Sequence, residues 1–174
     1  MRDLKNKLTS SKNTKNIQNR KGKSFGYQVL GFGAGGGPPA AFIVATGGTI
    51  TTVDTDYKVH TFTGPGTFTV CSVGNEGGSD KVDYVVVAGG GGGGANNAGG
   101  GGAGGFREGY NPGSYTASPL ATTALPVTAT GYPITIGGGG SVATSPGTVG
   151  GSGVNSVFST ITSAGGGGGA SQGP

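Results

Sequence analysis

Four blocks of consecutive glycine, at residues 89–94, 99–102, 137–140 and 165–169, constrain this chain more than any other feature, because a run without side chains has nothing to bury. A collagen triple helix is excluded, since it needs glycine at every third position and not in solid blocks. Plain disorder is disfavoured by the runs of Val, Ile, Thr, Phe and Tyr between the blocks, which are strand formers. The blocks could be flexible spacers, or extended polyproline-II-type helices of about three residues per turn that pack closely because nothing projects from them. Packed helices are expected here. With 43 glycines in 174 residues, an ordinary side-chain core is available only to the rest of the chain.

That remainder reads as mainly β, a small antiparallel sheet or sandwich joined to extended glycine-rich segments and an extended N-terminal arm. Residues 42–45 and 49–53 are short apolar or Thr-rich strands, separated by Gly47 and Gly48 and closed by a turn at Asp54, Thr55 and Asp56. The segment 61–69, Thr-Phe-Thr-Gly-Pro-Gly-Thr-Phe-Thr, is symmetric about Pro65 and predicts a hairpin of 57–63 with 67–73. In that register Phe62 faces Phe68, His60 faces Val70, and Cys71 lies beside Val59 and is buried. Residues 75–79 form a turn. Residues 81–88 form a strand whose second half, Tyr84-Val-Val-Val-Ala, lacks alternation, as a central strand covered on both faces would. Strands return at 132–136 and 157–163, each just before a glycine block. The boundaries expected are a basic arm at 1–24, an apolar peg and Gly/Pro linker at 25–40, a hairpin-rich region at 41–88 and a glycine-rich region with short strands at 89–174.

A β-rich run followed by a glycine block thus occurs three times. The series Val82-Asp-Tyr-Val-Val-Val-Ala-Gly-Gly, Gly-Gly-Ala-Gly-Gly-Phe106, Tyr132-Pro-Ile-Thr-Ile-Gly and Asn155-Ser-Val-Phe-Ser-Thr-Ile-Thr-Ser-Ala-Gly-Gly resembles the glycine-rich domain of bacteriophage tail-fibre and virion proteins, marine phages especially. The strand pair around Pro65 fits the same pattern. The resemblance covers 47–169 and implies a virion component on the head or tail surface, often a homotrimer. In some adhesins of this kind, glycine helices present loops to a host receptor, and the corresponding candidates here are Phe106, Tyr110 and Tyr115.

Charge is distributed unevenly. Arg2, Lys5, Lys7, Lys12, Lys15, Arg20, Lys21 and Lys23 oppose Asp3 alone in the first 23 residues, a net +7, whereas Lys58, Lys81 and Arg107 face six acids over the rest, a net −3. Such an arm either lies across an acidic groove on a neighbouring virion protein, the preferred reading, or binds the phosphates of nucleic acid. Phe25, Tyr27, Val29, Leu30 and Phe32 follow as a docking peg. No apolar stretch approaches membrane-spanning length, and the basic start has no apolar stretch behind it, so the mature chain is expected to begin at Met1.

Catalytic and metal chemistry finds few parts. His60 is the only histidine, and no second ligand lies at useful spacing on its strand, so it reads as a sheet-surface residue. Cys71 stands alone and has no base beside it. Gly22-Lys23-Ser24 imitates the end of a phosphate loop, but Ile17 occupies the glycine position and no strand precedes it. Asp54, Asp56, Asp80 and Asp83 fall in two separate turns, without a calcium loop. The expectation is a structural protein with no enzymatic activity and no cofactor, bound to other virion proteins. A receptor-binding adhesin is the first alternative, and a coat-type protein holding nucleic acid through the arm is the second.

Overall fold

A computed structural model describes residues 38–111 and 121–171. Apart from Pro38 and Pro39 these belong to the second of two compact units, Ala40–Pro174. The basic arm, the peg from Phe25 to Phe32, the Gly22-Lys23-Ser24 motif and Tyr115 lie outside the described residues.

The described chain is all β, with no helix of the α type. Five strands, β1 (Val44–Thr46), β4 (Gly66–Ser72), β10 (Gly131–Thr135), β11 (Ser156–Phe158) and β12 (Ile161–Ser163), form an antiparallel sheet in the order β1-β4-β10-β11-β12. Beside it stand a ribbon of β2 (Thr49–Val53) with β3 (Tyr57–Thr61), and a short pairing of β5 (Lys81–Val82) with β9 (Leu125–Pro126). A three-stranded sheet completes the base: β6 (Tyr84–Val87) pairs antiparallel with β7 (Phe106–Tyr110), which pairs parallel with β8 (Thr122–Thr123).

The β2–β3 ribbon turns where the sequence places a turn. Asp54 and Thr55 both take left-handed φ, 49° and 63°, the pairing that suits the twist of a tight hairpin. The core of the base is small and aromatic. Phe68, Val70, Val86, Val127 and Phe158 are buried, and the Phe158 ring meets Phe68, Tyr84 and Tyr132 at centroid distances of 6.1, 6.1 and 6.2 Å.

Four expectations are corrected. The symmetric segment around Pro65 is not a hairpin: β3 pairs with β2, while β4 pairs with β1 and β10, so the chain crosses from one sheet to another through Gly64 and Pro65. Phe68 therefore lies opposite Tyr132, not Phe62, and His60 pairs with Ile50, not Val70. Alternating residues specify faces but not partners, and β4 finds its partner more than sixty residues later in the chain. The same alternation turns Phe68 and Val70 inward and leaves Cys71, expected to be buried beside Val59, exposed.

The strand expected at 81–88 is broken at Asp83, and β6 forms an edge of its sheet, not its centre. Val86 is buried, yet Val85 and Val87 are 60% and 56% exposed. Consecutive valines hide the alternation because one side of the ribbon carries apolar residues without being covered. The strand expected at 157–163 is two strands, β11 and β12, joined by a tight turn in which Ser159 has φ 55°.

Candidate functional site

The glycine blocks are ordered and packed. Five extended runs, at residues 88–95, 98–105, 137–143, 149–155 and 164–170, lie side by side and are joined by backbone hydrogen bonds that recur every third residue. Ala88, Gly91 and Gly94 of the first run donate to Gly105, Gly102 and Gly99 of the second, at 3.0, 2.8 and 3.0 Å. Gly89 and Gly92 donate to Val154 and Gly151 of the fourth run. Gly140 and Ala143 of the third run donate to Gly90 and Gly93, and Gly166 and Gly169 of the fifth donate to Gly89 and Gly92. A three-residue period is that of a polyproline-II-type helix, whose amides point outward in turn to successive neighbours. The first run is the hub of the bundle.

Close approach, not backbone conformation, is what these glycines supply. Among the described glycines only Gly47, Gly48 and Gly147 have φ in the left-handed region. In the runs, a Cβ at Gly89 would lie 2.0 Å from the Gly138 carbonyl oxygen, at Gly92 2.0 Å from that of Ser141, and at Gly168 1.8 Å from that of Gly150. Every third position is different. A Cβ at Gly100, Gly138 or Gly167 would meet nothing within 4 Å. Residues that do carry side chains, such as Ala103, Ser152, Ala164 and Ala170, continue these outward rows and are exposed.

The runs share an axis. The first is parallel to the third and fifth and antiparallel to the second and fourth, so all five leave the β base at one end. At the far end lie the 95–98 loop, the 144–148 loop and Ser171. Asn96 and Asn97, with φ of 59° and 52°, make the first loop a tight left-handed turn. In the second, both the N–H and the Oγ1 of Thr148 donate to Ser145 O. At the base, Ser156 Oγ accepts from Gly137 N and Asn155 Oδ1 from Gly165 N, both at 2.9 Å, tying glycine runs to β11 and its approach.

The candidate residues are distributed as follows. Phe106 starts β7 and is half exposed, and Tyr110 ends β7 partly buried, so both sit in the base and not at the far loops. His60 turns toward the core: Nδ1 donates to Gly47 O at 2.8 Å and the ring stands edge-on to Phe68 at 5.0 Å. Asp83 accepts the Asn111 amide at 2.7 Å. Among the described residues, no group of three His, Cys, Asp or Glu could hold a metal, and no helix is long and apolar enough to cross a membrane. Sequence reading missed Asn96, Asn97, Asn155 and Ser156. For the asparagines of the far loop a signal existed, since two Asn between glycine runs are suited to consecutive left-handed residues.

A compact β base carrying a bundle of glycine helices defines a class of domain whose interior is built from backbone. A family model described as a glycine-rich domain matches residues 61–174, and the chain belongs to that family. No curated protein and no solved structure matches the chain.

Proposed function

We propose that this protein is a structural component of a bacteriophage virion, of the fibre or surface-decoration kind, in which the N-terminal arm docks on other virion proteins and the glycine domain projects outward. The observation that carries this reading is the common axis of the five runs, which connect a β base to a far end made of two tight loops. Such a bundle is stiffened by the backbone hydrogen bonds that join its runs. That suits a projecting spacer or knob. The resemblance of the strand and glycine series to virion proteins supplies the biological setting.

A receptor-binding adhesin is the second reading, favoured by the placing of the 95–98 and 144–148 loops together at the far end. If the tip contacts a host, Asn96, Asn97 and the 144–148 loop are the contact residues, in place of Phe106 and Tyr110. Immunogold labelling of purified virions with antibody to this chain tests the proposal. Label on the head or along fibres supports a structural component, and label at fibre tips, with blocking of adsorption by the free protein, supports the adhesin. Absence of the chain from purified virions overturns both.

A further inference from the structure

The hub of the bundle is enclosed on only part of its circumference. The fourth run bonds to the third and the fifth, and the fifth to the second, so the four neighbours of the first run form one continuous arc around it. On the remaining flank no glycine run bonds to it among the described residues. The Gly90 and Gly93 amides, one three-residue turn apart, have no hydrogen-bond partner among the described residues, and neither have the carbonyls of Ala88, Gly91 and Gly94. A Cβ at Gly90 or Gly93 would come no nearer to its own chain than 3.5 and 4.0 Å, so packing within one copy does not require glycine there.

A second observation marks the same flank as an interface. The first run continues directly from β6, and Val87 precedes Gly90 by one turn. Val85 and Val87 share a face of the β6–β7 ribbon with Phe106, which pairs across from Val87, and Phe106 is 50% exposed. Val142, one turn beyond Gly139, whose Cβ would lie 3.5 Å from Gly90 O, is 67% exposed. Large apolar side chains bordering unpaired backbone make a surface that water covers poorly, much as an exposed edge strand does.

Complementarity selects the occupant. Donors and acceptors repeating every third residue, with no side chain between them, are matched by another glycine helix of the same period, and a second copy of this chain presents such a row. Parallel and antiparallel contacts coexist within the bundle, so a two-fold contact needs no geometry that the chain does not already use. We propose that two copies pair through this flank, extending the glycine lattice across a two-fold axis and covering Val85, Val87 and Phe106. This inference is independent of the virion reading.

Analytical ultracentrifugation of the full chain over a dilution series tests it, with thermal melting as the check on folding. The wild type is expected to be a dimer. Val87→Lys, at a side chain already exposed, and Gly93→Leu, at a position open within one copy, should each weaken the dimer at least about tenfold. Gly167→Leu, open in the same way but on the fifth run and away from this flank, should leave it intact. Should Gly93→Leu melt early, Val87→Lys decides. A monomeric wild type, a threefold assembly, or a dimer that Val87→Lys leaves unweakened overturns the proposal.

Discussion

The β base and the glycine bundle solve the packing problem in opposite ways. In the base, alternate side chains fill the interior, and Phe68, Val70 and Phe158 are held by shape and apolar area. In the bundle the interior is backbone, and the closest approaches are carbonyl oxygens set where a methyl group would have to go. Period two governs the first and period three the second. The contrast also divides the energetics, because ordering glycine costs more backbone entropy than ordering any other residue, at about 1–2 kcal/mol per residue, while each backbone hydrogen bond returns only about 1 kcal/mol net. The bundle therefore depends on its attachment to the base, where Asn155 and Ser156 hold the ends of two runs.

If the base is the anchor, its loss should release the bundle. Phe158→Ala removes the ring that meets Phe68, Tyr84 and Tyr132 and should cost about 3–5 kcal/mol in denaturant unfolding. Hydrogen exchange should then accelerate in the glycine runs together with the strands. Rapid exchange confined to the strands would mean that the bundle holds itself together.

A smaller effect is expected at the far end, where the contrast depends on local conformation. Asn97→Ala places a residue that resists left-handed φ in the 95–98 turn and should cost about 1 kcal/mol, whereas Asn97→Gly should restore stability. Equal melting of the two variants would separate the loop from the stability of the bundle. The smallest effect lies where the two regions meet. Ser163 is fully buried and its hydroxyl has no hydrogen-bond partner among the described residues, so Ser163→Ala should be neutral or stabilising by up to about 1 kcal/mol. A clear loss of stability would assign that hydroxyl a partner.

The sequence made the two regions legible to different depths. The all-β character, the turn at Asp54 and Thr55 and the packing of the glycine blocks were readable, because strand formers and side-chain-free runs each permit few conformations. Partners were not readable. The Thr-Phe-Thr-Gly-Pro-Gly-Thr-Phe-Thr symmetry suggests a local hairpin, yet β4 is bound by strands distant in sequence, and alternation is equally satisfied by either pairing. Nor does a block of glycines reveal which of its members are indispensable. Gly91 and Gly92 are blocked by carbonyls while Gly90 is not, a distinction set by neighbouring runs many residues away. Nor is the far end legible: aromatic residues draw the eye to Phe106 and Tyr110, which lie in β7 of the base, whereas the pairing of the runs puts 95–98 and 144–148 at the far end.

The central claim is that glycine here is selected by the space a neighbouring run leaves, row by row. The most direct measurement is the thermal unfolding of three single variants in the fifth run, Gly166→Ala, Gly167→Ala and Gly168→Ala. A Cβ would lie 2.1 Å from Gly102 O at the first position and 1.8 Å from Gly150 O at the third, and would meet nothing within 4 Å at the second. Gly166→Ala and Gly168→Ala should each destabilise by about 1–3 kcal/mol. Gly167→Ala should be neutral or stabilising by up to about 1 kcal/mol, since alanine restricts the unfolded chain. Three equal effects, whether all harmful or all harmless, would contradict the packed three-residue lattice.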